Sequence, residues 1–594
     1  MIKYIFLTVV LFWGSVSAGD FRWWPEQKMP RGLVTVDTSA MPKVAEPNGK
    51  IAPARNMGPE HMLAQSLAGL AAQAVNEGRG DELVYVNLWD NADYVLWRRM
   101  ILERTGMEDR GTSTVWALVE KYAAQNIVKG YILYSWDFSE GEITTRRDGS
   151  DESCNVAASL AGVFGGVMVS EGQEAQAKAL GLSLLADVRG KTEQWVFDNY
   201  KEQFNPNLVL LQDPAVPNNR AIAIAHRCLS VYGMEEPTEQ IYQWMNKPGL
   251  VFGWNDGREE GRAVSQLSKY GHMIVPSNWA LNMPVLSLAA GCADDISFNA
   301  VDPRTIDFEN KSPAVSFYMS DGDNVQWMFG NFAQHSYYWG SPLNGRIPLG
   351  WGMPFADLMQ VGVDVGRYLS RTQPEDTSVV LMPGYFFPDE LGIALDKEER
   401  MRILKLYSKR IEHYLQRAGT GLFSFLSRNY DSAAALEAYS VFAKEIPSLT
   451  GMMVIDYAPY EKGDGKIFWF PNADGIDIPV VSAKYSLWAN QNHARSGTPA
   501  KIARLINTDS AAAAKNDEPF FAWTIIHAWS GFRENPGDDE TAENGKYGTD
   551  HAGVAPALWS ANRLNESVNV VTPDELVWRI RMAYRPEQTK KILN

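Results

Sequence analysis

The chain has 594 residues, a formal net charge of −16 at pH 7 and 20 tryptophans. Single domains usually hold about 100–250 residues, so this length predicts two or three domains. Lysines and arginines form no clustered run, which argues against a nucleic-acid-binding surface and favours a neutral ligand.

The first 18 residues have the pattern of a secretory signal peptide. Lys3 supplies the positive start, residues 4–13 the apolar stretch, and Val16-Ser17-Ala18 a small-residue cleavage site. The apolar stretch is too short to span a bilayer, which disfavours a membrane anchor. We therefore expect a mature protein that begins near Gly19 and is secreted or periplasmic.

Residues 19–59 are rich in proline and lack periodicity, so we interpret them as an extended lead-in. From residue 60 to residue 245, short β-rich runs alternate with helical spacing, including a predicted helix over 220–233. This alternation indicates βαβ units around parallel strands. We interpret residues 60–245 as an N-terminal α/β layered domain.

A break at Pro248-Gly249 precedes a second and longer series of strands, which we assign to residues 246–594. The strand candidates are 250–254, 272–276, 314–319, 347–350, 378–382, 421–425, 452–455, 478–482, 520–526 and 568–571, and the long helices are 397–417, 431–445, 498–507 and 573–583. Eight to ten strands with helical crossovers predict a closed (β/α) TIM-like barrel, and an open doubly wound sheet is the alternative.

Polar and aromatic residues follow the carboxyl ends of six of these strands, where a barrel assembles its site. They are Trp254-Asn255-Asp256, Ser277-Asn278-Trp279, Ser320-Asp321-Gly322-Asp323-Asn324, Pro383-Gly384-Tyr385, Asp456-Tyr457 and His527-Ala528-Trp529. One such polar and aromatic segment could simply form a turn, but six on separate strands are harder to explain by turn formation alone. Flat aromatic faces in a cleft suit the C–H faces of a sugar ring.

Two carboxyl groups in an enclosed aromatic site suit the hydrolysis of a glycosidic bond, because one must be protonated and the other must attack or activate water. The catalytic candidates are Asp321 and Asp323 with Asp456 across the barrel mouth, and Glu390 and Glu461 are longer-reach candidates for the acid. Burial against tryptophan would raise the pKa of the acid.

The candidate substrate-binding residues combine stacking rings with hydroxyl-binding amides. They are Trp254, Asn255, Asn278, Trp279, Asn324, Trp327, Tyr385, His527 and Trp529. We expect no cofactor, although Asp321, Asp323 and a carbonyl could hold a structural Ca²⁺. Other interpretations remain open: an Asx turn for 321–324, a cap for Asp456 and a hydrogen-bonded core residue for His527.

Three cysteines occur, at Cys154, Cys228 and Cys292, and an odd number allows one disulfide at most. Their spacing fits no zinc pattern, so we expect buried free thiols. The zinc-protease H-E-x-x-H, esterase G-x-S-x-G, P-loop and G-x-G-x-x-G patterns are also missing from the sequence. These observations disfavour zinc proteases, serine esterases and nucleotide-binding proteins.

Several segments together resemble the GxGYxYP family of secreted bacterial proteins, which are inferred to be glycoside hydrolases. The segments are MSDGDNVQW (319–327), VFGWND (251–256), SNWALN (277–282), MPGYFFP (382–388) and the closing VTPDELVWRIR (571–581). The family's name motif falls on 382–388, where Met382 replaces the first glycine and Phe387 the second tyrosine. The lost hydroxyl argues against a polar role for Phe387.

The resemblance implies an N-terminal family domain followed by a barrel-like hydrolase domain, without supplying established catalytic residues. We therefore predict a secreted glycoside hydrolase that acts on an oligo- or polysaccharide, with no nucleic-acid partner and no stable membrane anchor. The alternatives are a non-catalytic glycan-binding protein and a metal-dependent hydrolase or lyase.

Overall fold

The computed structural model describes residues 21–38, 58–87, 91–136, 152–255, 260–288, 295–489, 491, 493–532 and 552–594. The predicted signal peptide, Asp256 and Cys292 lie outside these residues. Cys154 and Cys228 are buried, as predicted. Among the helices of the described ranges, none is both long and apolar enough to cross a membrane.

The N-terminal region contains three small sheets of parallel strands. Its strands are β1 (Gly32–Asp37), β2 (Glu82–Asn87), β3 (Glu108–Ser113), β4 (Gly130–Tyr134), β5 (Gly166–Ser170), β6 (Leu184–Asp187), β7 (Leu208–Leu211), β8 (Leu229–Val231), β9 (Leu250–Gly253) and β10 (Met273–Pro276). Their orders are β2-β1-β3, β5-β4-β6 and β10-β9-β7-β8.

Helices cover these sheets and give the region its layers. They are α1 (Gly58–Asn76), α2 (Ala92–Thr105), α3 (Val115–Ala124), α4 (Ser153–Phe164), α5 (Glu174–Ala179), α6 (Glu193–Tyr200), α7 (Arg220–Ala225), α8 (Thr238–Trp244), α9 (Glu260–Lys269) and α10 (Met283–Leu286). Helix α1 packs against β2, β5 and α7, so its side chains are buried nearly all round. The α/β layering predicted for this region agrees with this arrangement.

The structure differs from the sequence interpretation at three places in this region. Strand β1 falls in the predicted lead-in and is the central strand of its sheet. The helix predicted over 220–233 ends at Ala225, and Leu229–Val231 pairs with β7 instead. Strands β9 and β10, which we assigned to the second series, extend the β7 sheet. Local spacing identifies a strand, but it does not identify the sheet that the strand joins.

The C-terminal region is built on one large sheet. Its strands are β11 (Ala314–Met319), β12 (Leu349–Met353), β13 (Thr377–Leu381), β14 (Leu422–Ser427), β15 (Gly451–Asp456), β16 (Ile467–Pro471), β17 (Asp477–Ser482), β18 (Tyr485–Leu487), β19 (Ser496–Gly497), β20 (Phe521–Ile526) and β21 (Asn569–Val570). The order is β16-β17-β15-β14-β13-β12-β11-β20-β18-β19, with β21 beside β11, and the pairing is parallel except between β16 and β17.

The long crossover helices expected from the sequence are present. The helices of this region are α11 (Val325–Phe329), α12 (Phe355–Val361), α13 (Val363–Arg371), α14 (Lys397–Ala418), α15 (Ala433–Glu445), α16 (Pro499–Lys515), α17 (Val554–Ala561), α18 (Pro573–Tyr584) and α19 (Pro586–Leu593). Parallel neighbours need such crossovers, because a tight turn joins only antiparallel strands.

The large sheet is curled rather than flat. The Tyr318 hydroxyl on β11 lies 2.5 Å from Oγ of Ser424 on β14, although two strands separate β11 from β14 in the sheet. Side chains from six strands meet in one apolar cluster on the concave side, including Tyr318, Val380, Leu422, Met453, Val481 and Trp523. The sheet is therefore a curled half-barrel. The closed TIM-like barrel expected from the sequence stays a prediction.

Candidate active site

A cavity of about 310 Å³ opens where the carboxyl ends of the curled sheet face the ends of β9 and β10. Its lining comes from both regions of the chain: Trp254, Glu260, Asn278, Trp279, Ser320, Asp321, Asp323, Asn324, Gln326, Met382, Tyr385, Leu426, Ile455, Tyr460, Trp488, Ile525, His527 and Trp529. Pockets for small ligands usually measure about 300–1,000 Å³, so this cavity suits a short ligand.

Tyr385 lines this cavity and contacts both regions. Its backbone N–H donates to the carbonyl of Ile274 at 2.7 Å, and its carbonyl accepts from the Ile274 N–H at 3.0 Å. The preceding Gly384 has φ of +91°, a conformation that favours glycine. This glycine lets the segment turn beside β10, and it explains a glycine at this point of the motif.

Asp321 begins the loop after β11 and is held in one orientation. Ser320 Oγ donates to its Oδ2 at 2.5 Å, and the backbone N–H of Ala528 donates to the same oxygen at 3.1 Å. Asp321 has φ of +63°, which is uncommon for a residue with a side chain and is often retained at functional positions.

Gly322 lets this loop pack directly on β12. A Cβ at this position would lie 1.9 Å from the carbonyl oxygen of Gly352, so only glycine fits there. The close approach fixes the backbone between Asp321 and Asp323. Both carboxyl groups therefore reach the cavity from a rigid loop.

Asp323 is buried, with 6% of its surface exposed. Burial, the charge of Asp321 and the charge of Glu260 raise the pKa of Asp323 to about 8. The side-chain amide of Asn324 donates to Oδ1 of Asp323 at 3.4 Å, and a weak bond of this length offsets little of the desolvation. Asp323 therefore holds a proton near neutral pH.

Glu260 begins α9 and enters the cavity from the N-terminal region. The phenolic hydroxyl of Tyr385 donates to its Oε1 at 3.0 Å. Burial raises the pKa of Glu260 to about 7, the hydrogen bond from Tyr385 opposes this rise, and the charge of Asp321 adds to it. Sequence reasoning missed Glu260, whose only signal is its position shortly after the end of β9.

The three carboxyl groups form one electrostatic unit. Asp321 raises the pKa of both Asp323 and Glu260, and Glu260 raises that of Asp323. Such groups release their protons in coupled steps, and an acid and a base then coexist at one pH. This division of protons is what acid–base chemistry at a single site requires.

Two aromatic stacks form walls of the cavity. Trp254 and Tyr385 stack with ring centroids 6.0 Å apart and an interplanar angle of 16°. In the second stack, the ring of Trp488 stacks on the rings of Tyr460 and His527, with centroid distances of 4.4 and 3.9 Å. Trp254, Tyr385 and His527 were sequence candidates. Trp488 was missed because the short strand β18 that precedes it was not separated from β17, and Tyr460, in the loop after β15, was also missed.

His527 contributes a ring rather than a charge. Its Nδ1 lies 2.8 Å from Oγ of Ser530, and its ring stacks on Trp488. Burial lowers the pKa of His527, and the charge of Asp321 opposes this effect. The imidazole is therefore neutral at pH 7.

Nine of the sequence candidates line the cavity. They are Trp254, Asn278, Trp279, Asp321, Asp323, Asn324, Tyr385, His527 and Trp529. Asn255, Trp327, Glu390, Asp456 and Glu461 are not lining residues. Trp327 packs behind Trp529, with ring centroids 5.7 Å apart, and supports the wall from outside.

The expected meeting of Asp456 with Asp321 and Asp323 does not occur. Successive side chains of a strand point to opposite faces. Ile455 lines the cavity, so Asp456 on β15 points away from it. Burial raises the pKa of Asp456, and Lys462, whose Nζ lies 3.6 Å from Oδ2, opposes this rise.

The longer-reach acids also lie elsewhere. Glu390 and Glu461 follow β13 and β15, and each has a buried Oε2 with no hydrogen-bond partner among the described residues. Within the described ranges, no group of three or more His, Cys, Asp or Glu residues could hold a metal ion. The calcium alternative, which uses Asp321, Asp323 and a carbonyl, stays a prediction.

Three family models match the chain: "GxGYxYP_N second domain" over residues 128–204, "GxGYxYP third domain" over 207–288 and "GxGYxYP putative glycoside hydrolase C-terminal domain" over 312–534. Together they cover more than half of the sequence. The chain belongs to the GxGYxYP family. The cavity of this GxGYxYP protein lies between the segments matched by the third and C-terminal domain models.

A solved structure from Bacteroides thetaiotaomicron, described as a "putative hydrolase", is similar over nearly the whole length. The two chains are 20% identical, the match covers 94% of this chain and 96% of the other, and the TM-score is 0.72. This likeness establishes a shared fold. A search of curated proteins found no match.

Proposed function

We propose that this GxGYxYP protein is a secreted glycoside hydrolase that cleaves glycosidic bonds in the cavity between its two regions. The family description and that of the structural relative support a hydrolase at a general level. The observation that carries the proposal is the convergence of Asp321, Asp323 and Glu260 in an aromatic-walled cavity. Secretion rests on the pattern of residues 1–18.

Glu260 is the general acid in this proposal. A general acid must keep its proton near the working pH, and the pKa of Glu260 is raised to about 7. It comes from the N-terminal region, whereas Asp321 and Asp323 come from the loop after β11. This origin suits a pair of groups that flank a sugar from different sides.

Asp321 is the nucleophile or the base that activates water. Its Oδ2 is oriented by Ser320 and Ala528, so its carboxylate is positioned before substrate binds. Asp323 is less suited to this role, because a carboxyl group with a pKa of about 8 is mostly protonated at pH 7. The protonated Asp323 lowers the negative charge around the reacting bond.

The aromatic stacks supply the binding surface. Trp254 with Tyr385, and Trp488 with Tyr460 and His527, present flat rings to the cavity. The amides of Asn278, Asn324 and Gln326 add neutral polar groups among these rings. Apolar walls with a few polar groups are typical of ligand pockets.

The test is a screen of the purified mature protein against a panel of polysaccharides, measured as reducing ends released. We expect release from at least one polysaccharide, and loss of that activity in Glu260→Gln and Asp321→Asn variants that keep the wild-type circular dichroism spectrum. No release from any member of the panel, or full activity in both variants, would overturn the proposal.

A non-catalytic glycan-binding protein is the second candidate, and the aromatic walls favour it independently of the acids. It predicts that glycans bind the cavity without release of reducing ends. Isothermal titration with each panel member, run beside the hydrolysis assay, separates the two functions. Binding with unchanged glycan chain length would favour this candidate.

A further inference from the structure

We infer that the cavity selects sugars without negative charge and rejects uronic, sulfated and phosphorylated sugar units. This inference rests on the proposed function and narrows its substrate class. It follows from the balance of charge around the bound ring. Three observations support it: the clustering of the acids, the neutrality of the other lining groups, and the enclosure of the cavity.

The acids already repel one another before a ligand enters. Asp321 disfavours the ionised forms of both Asp323 and Glu260, as the raised pKa of each of these two groups records. A further anion in the same cavity would meet the same repulsion. Because the site lies between packed elements, solvent screens this repulsion less than it would at the surface.

Apart from the three acids, the described lining groups offer no positive charge to an anionic ligand. Among the lining residues that the structure describes, the polar side chains besides the three acids are amides, hydroxyls and the imidazole of His527, and none is lysine or arginine. The guanidinium of Arg428 lies over the rings of Phe387 and Tyr457, at 5.8 and 5.3 Å, and is not a lining group. From these described lining groups, an anionic ring would therefore gain no cation in return for its lost hydration.

A neutral sugar meets the opposite conditions. Its hydroxyls can exchange hydrogen bonds with the amide of Asn324, the hydroxyl of Tyr460 and the acids, while its C–H faces cover Trp254 or Trp488. Replacing a ring CH₂OH by a carboxylate adds a like charge beside the acids, and like-charge juxtaposition is a strong device of selectivity. We expect a preference of about 100-fold in binding, or about 2.7 kcal/mol.

The test uses pairs of ligands that differ mainly in that group: galacto-oligosaccharides against oligogalacturonides, and aryl glucosides and galactosides against the matching uronides. Binding is followed by isothermal titration and cleavage by product release. Tighter binding of the neutral member by about 100-fold supports the inference, whether or not cleavage follows. Binding of the anionic member within a factor of about three overturns it.

The two readouts separate this inference from the proposed function. Neutral preference without cleavage would support the inference and refute hydrolysis. Equal cleavage of both members would support hydrolysis and refute the inference, and absence of binding by every ligand would refute both. Asp321→Asn should reduce the ratio of neutral to anionic binding affinity by about tenfold. Asp456→Asn changes an acid outside the cavity and should leave this ratio unchanged.

Discussion

The phenol of Tyr385 donates a hydrogen bond to Oε1 of Glu260 across 3.0 Å, and the two residues lie 125 positions apart in the chain. Tyr385 is the first tyrosine of the family's motif, and its backbone is hydrogen-bonded to β10. Tyr385 thus contacts both the N-terminal region and the proposed acid. The motif therefore positions a carboxyl group that no local sequence pattern reveals.

Tyr385→Phe should raise the pKa of Glu260, because the lost hydrogen bond favours the ionised carboxyl group. If Glu260 is the acid, the alkaline limb of the kcat/KM profile should move to higher pH, with a loss of about tenfold at the optimum. Phenylalanine keeps the ring that stacks on Trp254. The measurement is a pH–rate profile on a substrate found in the screen.

Tyr407→Phe is the matched control for this change. Tyr407 is buried and does not line the cavity, and its hydroxyl has no hydrogen-bond partner in the part of the chain that the structure describes. Removal of the Tyr407 hydroxyl should leave the pH–rate profile unchanged. An unchanged alkaline limb in Tyr385→Phe would contradict the role of Tyr385 as a positioning residue for Glu260.

Gly322→Ala should disrupt the loop that carries Asp321 and Asp323, because its Cβ would lie 1.9 Å from a backbone oxygen of β12. We expect activity to fall by about 100-fold or more and the melting temperature to fall as well. Gly172→Ala is the control, since a Cβ there meets nothing within 4 Å. Full activity of Gly322→Ala would show that the loop tolerates a different backbone path.

Asp357, which lies outside the cavity, should make the free energy of unfolding depend on pH. Its Oδ1 accepts from the indole N–H groups of Trp23 and Trp24, at 2.6 and 2.7 Å, and burial raises its pKa from 3.8 to about 7. The folded protein therefore takes up a proton here, and this contribution to stability is complete below pH 3.8 and is lost as the pH rises through about 7.

Asp357→Asn removes this titration and keeps an acceptor for both indoles. Relative to the wild type, the variant should gain about 2 kcal/mol in free energy of unfolding between pH 5 and pH 7. Chemical denaturation at the two pH values measures the difference. Glu375→Gln, at an exposed position, makes the same charge change and should show no such trend. Equal effects of the two substitutions would contradict the linkage.

Most strands could be predicted from the sequence, because apolar runs and turn signals are local. All ten strand candidates of residues 246–594 occur as strands. Their grouping into sheets was not predictable, since β9 and β10 have the same local pattern as β11 but pair with β7. The centrality of β1 was missed for the same reason.

The candidate site was predictable where it follows strand ends. Asp321, Asp323 and Tyr385 were found because parallel strands bring such ends together. Asp456 was misplaced because the last residue of a strand can face either side of the sheet, and the neighbouring Ile455 takes the cavity side. Glu260 opens a helix, and only the packing of one region against the other brings it beside Tyr385.

The most direct test compares Glu260→Gln with Asp456→Asn on the polysaccharide that the wild-type protein cleaves, with both variants shown to be folded. Both changes replace one carboxyl group by an amide, but only Glu260 lines the cavity. The proposed mechanism predicts that Glu260→Gln loses about 100-fold or more in the release of reducing ends and that Asp456→Asn keeps the wild-type rate. The reverse result would place the chemistry outside this cavity.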